Sequence, residues 1–190
     1  MATAAADERA AMDELVVVRC QLGERAAFGE LVDRWHRPLW SFVHRMVPNP
    51  ARSDDLAQET WLRVVRGLPG LAAPDRFGAW LFTLARRAVY DELRQSYRQV
   101  DSDPLPAAEE SGPDTGTDDF GRLLDRLELQ SALAELEPRE REVVALFHFA
   151  DLPLSDVAEI LAVPPGTVKS RLHRARQQLS AVLHHDEETD

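Results

Sequence analysis

Apolar residues recur at spacings of three and four along most of this chain and alternate with polar ones nowhere for more than a few positions. That period belongs to amphipathic helices, so the pattern predicts an all-α protein. Over 26–47 the set Phe28, Leu31, Val32, Trp35, Leu39, Phe42, Val43 and Met46 forms one inward face, and 13–22 share the period. The alanine-rich residues 1–12 read as a frayed terminus or a loose helical start. Ser53 or Asp54 is expected to cap the next helix, which runs to about Gly67 with Leu56, Trp61, Leu62 and Val65 available for burial. Gly67, Pro69, Gly70 and Pro74 make a loop. A further helix begins near Asp75 and continues to about Arg98, with Phe77, Trp80, Leu81, Leu84, Ala88 and Leu93 inward and a bend allowed inside it. The period fades over 101–119 and resumes with Leu123, Leu127 and Leu133, and Pro138 opens another helix.

The stretch Leu152–Leu179 reads as two helices joined by a tight turn. Ser155 is placed to cap the first, with Asp156 in its first turn, and Val157, Ile160 and Leu161 supply its apolar face. Pro164, Pro165 and Gly166 stop it and turn the chain, and Thr167 is placed to cap the second helix. Val168, Leu172, Ala175 and Leu179 then point inward. Lys169, Ser170, His173, Arg174 and Gln177 point outward, flanked by Arg171 and Arg176. A basic second helix after a tight turn is the layout of a helix-turn-helix whose second helix enters the DNA major groove.

Charge first argues against that reading. The 190 residues carry a formal net charge of −11, whereas DNA-binding domains are usually basic. The sign is not uniform, however. Asp101–Glu128 holds nine acids against two arginines, Arg76–Arg98 five arginines against two acids, and Gly166–Gln178 four basic residues and no acid. Acidic connectors are averaged with basic patches, and the patches govern contact with DNA. The Pro-, Gly-, Ser- and acid-rich residues 101–119 have too little apolar surface to offset their conformational entropy and read as a flexible linker.

Cys20 is the single cysteine, so an intrachain disulfide and a multi-cysteine zinc site are excluded; it reads as a packed or surface thiol. A cytoplasmic setting fits, as the N-terminus has no signal-peptide pattern and no apolar run approaches membrane-spanning length. His36, His44 and His148 have no ligand spacing and read as surface or partly buried side chains. No phosphate-binding glycine loop, nucleophile motif or metal cluster is seen, so neither an enzyme nor a cofactor is expected.

Two further segments carry chemistry. In D-D-L-A-Q-E-T-W-L-R-V-V, Asp55, Gln58 and Glu59 share one side of a helix while Leu56, Leu62 and Val65 are expected to point elsewhere. Such a face, anchored by Trp61, suits arginines of a partner protein, and its plain alternative is solvent. From Arg76 to Arg98, Arg86, Arg87, Arg94 and Arg98 interleave with Tyr90 and Tyr97. Basic groups follow phosphates and aromatics stack on unpaired bases, although Phe77, Trp80 and Phe82 suit a core better.

With these motifs together, the chain resembles a bacterial RNA polymerase sigma factor of the sigma-70 family, extracytoplasmic-function (ECF) class. The resemblance rests on D-D-L-A-Q-E-T-W-L-R-V at 54–64, F-G-A-W-L-F-T-L-A-R-R-A-V-Y-D-E-L-R at 77–94, L-E-P-R-E-R-E-V-V-A-L at 136–146 and V-P-P-G-T-V-K-S-R-L-H-R-A-R at 163–176, in that order. It spans about 25–180. It implies an N-terminal tail and helix start (1–21), sigma region 2 (22–100), the acidic linker (101–121), sigma region 4 with the helix-turn-helix (122–184) and an acidic tail (185–190).

The resemblance also implies roles. Asp55, Gln58, Glu59 and Trp61 match the helix that docks on the β′ clamp helices of core polymerase. Arg76, Arg86, Arg87, Tyr90 and Arg94 match the part that captures the −10 element. Thr167, Lys169, Ser170, Arg171, His173, Arg174 and Arg176 match the −35 reader, which sits on the β flap. Core RNA polymerase, promoter DNA and an anti-sigma factor are the implied partners, with no insertion into a membrane. Arg87 stands where many members carry Asn, and His173 occupies a recognition position of variable chemistry. The alternative is a stand-alone helix-turn-helix regulator, which has no need of residues 54–94. The linker's charge also suggests that it covers the basic faces of the free protein.

Overall fold

The computed structural model describes residues 2–47, 49–100 and 129–187. All regular structure among them is helical: α1 (Ala2–Gln21), α2 (Arg25–Met46), α3 (Pro50–Gly67), α4 (Phe77–Val100), α5 (129–135), α6 (Pro138–Val144), α7 (Leu154–Leu161) and α8 (Pro165–Glu187). Short 3-10 turns at Leu68–Gly70 and Pro74–Arg76 precede α4, and a π turn, Ala145–Phe149, extends α6. Leu123, Leu127, the expected linker and its proposed covering role lie outside the described residues.

The termini of α3 correct one expectation. Asn49 caps it, its side-chain oxygen accepting the Arg52 N–H at 3.2 Å, and Pro50 takes the first turn, where its missing N–H costs nothing. Ser53 lies instead one turn in and is buried, its hydroxyl donating to the carbonyls of Val47 and Asn49, each at 3.1 Å. The helix after the loop has no break: α4 runs unbroken from the Pro74–Arg76 turn.

Helices α1–α4 bury an aromatic centre. Trp35 meets Phe77 and Phe82 edge to face at 6.0 and 6.1 Å, and Phe42 meets Phe82 at 5.5 Å. The Trp35 indole N–H donates to the buried Asp13 carboxylate at 3.2 Å, and Arg34 pairs with the same oxygen at 3.0 Å. Gly78 opens α4 flat against this indole: a Cβ there would lie 2.7 Å from a Trp35 ring carbon.

Val143, Leu146, Val157, Ile160, Leu161, Val168, Leu172 and Ala175 bury the inner faces of α6, α7 and α8. This second core is continuous with the first. Helix α7 packs on α4, and the π turn packs on α2. The N-terminal and C-terminal helical halves therefore lie against each other, a contact that periodicity has no means of foretelling.

Candidate polymerase and DNA interface

Helix α3 presents a continuous exposed face. Asp55, Gln58 and Glu59 lie on it, as expected from their spacing. Leu62 and Val65 lie on it as well, each 51% exposed, contrary to the expectation that they point into the core. Seven residues are close to two helical turns, so Leu62 falls above Asp55. The signal was in the spacing, but hydrophobicity alone assigned these residues inward. The face is thus acidic and amide at one end and apolar at the other. Its acids are held loosely: Asp55 pairs with Arg52 at 3.3 Å and Glu59 with Arg63 at 2.7 Å, and such exposed pairs contribute little.

Trp61 also needs correcting. It is 8% exposed, packs edge to face on Phe28 and donates its indole N–H to His36 Nδ1 at 3.3 Å. It braces α3 from within and is no part of the exposed face.

The arginine segment divides in two. Arg87 and Arg94 are exposed, with Arg94 beside Asp91 at 3.2 Å. Arg76, Arg86 and Tyr90 instead engage the C-terminal half. Arg86 Nε donates to Glu142 Oε1 at 2.7 Å and Tyr90 OH to Glu142 Oε2 at 3.1 Å, while the Arg86 guanidinium lies 4.8 Å from the Tyr90 ring centre. Arg76 pairs with Asp156 at 3.0 Å and also with Glu159. Burial pushes the Glu142 carboxyl above its ordinary pKa, against the pull of Arg86, Tyr90 and the charge of Arg171. Burial likewise raises the Tyr90 phenol, with the Glu142 charge adding to it. Glu142, Asp156 and Glu159 are site neighbours that motif reading missed, because their partners lie 52 to 83 positions away.

In the helix-turn-helix the turn comes earlier than expected. Ala162 takes the left-handed conformation (φ 53°) and ends α7, while Pro165 and Gly166 already belong to the first turn of α8. Both expected caps are corrected. Ser155 lies inside α7, its hydroxyl turned to Asp156, and the Pro153 carbonyl accepts the Asp156 and Val157 N–H groups. The Pro164 carbonyl does the same for Thr167 and Val168 at the start of α8. Prolines fit both starts because helix-opening N–H groups lack intrahelical partners.

Helix α8 buries Val168, Leu172 and Ala175, with Leu179 partly covered. Lys169, Ser170, His173, Arg174 and Arg176 are exposed together, with Thr167 and Arg171 half-buried at the margin. The Ser170 hydroxyl donates to the Thr167 carbonyl at 2.9 Å. Arg174 Nε lies 3.4 Å from the nearly buried Glu140 carboxylate, which steadies the guanidinium from behind. A basic exposed face on the second helix can follow phosphates and reach base edges.

Among the described residues no group of His, Cys, Asp and Glu could hold a metal ion, and no helix is long and apolar enough to cross a membrane. Cys20 is partly buried, which pushes its thiol pKa up.

Family models describe two parts of the chain: sigma-70 region 2 matches residues 31–99 and sigma-70 region 4 matches 126–179. The ECF RNA polymerase sigma factor BldN of Streptomyces coelicolor is 32% identical over 187 residues, covering 96% of this chain and 70% of the relative. The ECF RNA polymerase sigma factor SigL of Mycobacterium tuberculosis is 34% identical over 166 residues, covering 84% and 90%. Among solved structures, CnrH in complex with the cytosolic domain of CnrY superposes with a TM-score of 0.71 at 25% identity, covering 92% of this chain and 98% of that one. The sigma factor RpoE in complex with the anti-sigma factor NepR from Bartonella quintana shares the fold, with a TM-score of 0.69 at 24% identity over 83% and 96% of the two chains.

Proposed function

This chain belongs to the ECF branch of the sigma-70 family, and we propose from that membership how its surfaces divide the work of starting transcription. As a sigma factor it binds core RNA polymerase and directs promoter recognition. A stand-alone regulator is set aside, since region 2 covers the very segment such a protein has no need of.

We take 22–100 as the region 2 unit and 122–184 as the region 4 unit. The face Asp55, Gln58, Glu59, Leu62 and Val65 docks on core polymerase. Its carboxylates meet basic side chains there, and its exposed leucine and valine are the parts that gain by leaving water. Arg87 and Arg94, joined by Arg76, Arg86 and Tyr90, hold the −10 strand. Lys169, Ser170, Arg171, His173, Arg174 and Arg176 read the −35 duplex, where a bidentate arginine–guanine pair gives about 1–3 kcal/mol of discrimination. Polymerase supplies the catalysis, and the protein works in the cytoplasm without a cofactor. The CnrH structure, solved in complex with the cytosolic domain of CnrY, supports an anti-sigma partner here.

The observation that carries this reading is the pairing of two surfaces in one chain, an acidic–apolar face on α3 and an acid-free basic face on α8. Run-off transcription with purified core polymerase on genomic promoter fragments tests it. Promoter-dependent transcripts are expected, and Asp55→Arg with Glu59→Arg should abolish them by weakening core binding. Absence of any promoter-dependent transcript overturns the reading.

A further inference from the structure

The reading helix has no acid of its own between Gly166 and Gln178. The fold supplies one from α6. Glu140 Oε1 lies 3.4 Å from Arg174 Nε, and the Glu140 side chain is 10% exposed against 59% for Arg174. The carboxylate therefore sits on the protein side of the guanidinium, and the rest of the fork faces water. Lys169, exposed on the same helix, has no acid beside it on α8.

Glu140 is itself firmly placed. It stands in the first turn of α6, where the helix dipole favours an anion, and its N–H donates to the Glu137 carbonyl at 3.0 Å. The neighbouring Arg141 donates to the carbonyls of Ala134 and Leu136, which ties the preceding chain to α6. Val143 and Leu146 of the same segment are fully buried, and α6 packs directly on α8. Packing of the core thus sets where the carboxylate stands relative to the reading helix.

Two consequences follow for Arg174. A guanidinium is a rigid planar fork, with donors on Nε and on both terminal nitrogens. With Nε turned to Glu140, the terminal nitrogens are left to point outward, and such a pair can span O6 and N7 on a guanine edge. The carboxylate also offsets the arginine's charge. A phosphate contact draws mainly on charge, whereas a base edge asks for a fork held in one orientation. Glu140 weakens the first and favours the second.

We propose that Glu140 is a positioning residue for promoter recognition, which makes Arg174 a reader of a guanine edge in the major groove rather than a phosphate contact. The inference rests on the assignment of α8 to the −35 duplex. Arg174 then carries base discrimination and little of the salt dependence, and Lys169 carries the reverse.

The test uses holoenzyme assembled from the full chain and core polymerase. The probe is a duplex library in which the −35 base pairs of a promoter found by run-off transcription are randomised. Sequencing the bound fraction gives the preference at each base pair, and affinity for a duplex of unrelated sequence is titrated at several salt concentrations. Glu140→Ala, Glu140→Gln, Arg174→Ala and Glu140→Ala with Arg174→Ala are compared with the parent, and thermal melts confirm that each is folded.

The parent should prefer guanine about tenfold or more at one base pair, and Arg174→Ala should abolish that preference. Glu140→Ala should reduce it at least about fivefold at the same base pair only, and steepen the salt slope by about one, because a compensating charge is gone. In the double variant the preference should match Arg174→Ala alone. Glu140→Gln keeps an acceptor for Nε, so it should retain the preference while steepening the slope. A merely structural role would weaken every base preference together and restore none with glutamine. That pattern, or an undiminished guanine preference in Glu140→Ala, overturns the proposal. Should Glu140→Ala fail to fold, an unchanged salt slope in Glu140→Gln overturns it. A parent holoenzyme with no preference at any randomised base pair overturns the −35 assignment itself.

Discussion

Arg86 and Glu142 stand 56 residues apart in the chain, yet Arg86 Nε lies 2.7 Å from Glu142 Oε1. The pair joins the two halves at a point where the carboxylate is almost wholly out of water and the guanidinium is about one-third exposed. Their energies should therefore be coupled. In a double-mutant cycle with Arg86→Met and Glu142→Gln, urea unfolding should return an interaction of about 2 kcal/mol. Additivity of the two single changes would show the contact to be energetically idle.

Leu62 separates docking from folding. It is half-exposed on α3, so Leu62→Ser should leave the melting temperature nearly unchanged, within about 0.5 kcal/mol. Its affinity for core polymerase should fall by roughly tenfold, as expected for an apolar contact at the centre of an interface. Trp61→Ala should behave in the opposite way, costing about 3–5 kcal/mol of stability because the indole fills the core beneath that face. Thermal melts and a binding titration distinguish the two.

Two glycines at helix starts should respond oppositely to alanine. At Gly78 the added methyl meets the Trp35 ring at 2.7 Å, and Trp35 is anchored to Asp13, so Gly78→Ala should destabilise by about 1–3 kcal/mol. At Gly166 nothing lies within 4 Å of the new Cβ, and helix propensity should make Gly166→Ala stabilising by about 0.5–1 kcal/mol. Calorimetry of both variants checks the pair.

His44 gives the fold a pH dependence of known sign. Its ring stacks on Trp40 at 4.6 Å, and burial and the Arg45 charge lower its pKa, with Asp54 pulling the other way. The fold thus favours the neutral ring. Its contribution is fully present above the unfolded value of about 6.5 and is lost as pH falls through the depressed folded value. His44→Gln should therefore lose less stability than the parent when denaturation midpoints at about pH 7.5 and about pH 5.5 are compared. Equal losses would place the dependence elsewhere, with His148, also lowered by burial, the next candidate.

The reading helix should reveal itself through salt. Lys169 is exposed and without an acid beside it on α8. Lys169→Ala should weaken binding of a −35 duplex by the holoenzyme about equally for all sequences and reduce the salt slope by about one. Arg174→Ala should instead relax discrimination at one base position. A titration series at several salt concentrations separates the two.

Much of this protein was legible along the chain. Helical spacing found every described long helix, the inward set Leu31, Trp35, Leu39, Phe42, Val43 and Met46, and the outward set Lys169, Ser170, His173 and Arg174, because burial in a helix repeats every three or four residues. Ordered motifs identified the family. Capping was less legible, since Ser53, Ser155 and Thr167 all had suitable side chains and the starts went to Asn49, Pro153 and Pro164. There proline sets the backbone before a hydroxyl can compete.

What only the tertiary structure decided lies between elements. Leu62 and Val65 have the chemistry of core residues, but the four-helix packing offers no surface on that side of α3, so they remain in water. Arg76, Arg86 and Tyr90 have the chemistry of strand-binding residues, but α6 and α7 bring Glu142, Asp156 and Glu159 onto them. Local sequence sets which face of a helix is apolar and which is charged. The partner each face meets depends on contacts closed across dozens of residues, which carry no period and no spacing to read.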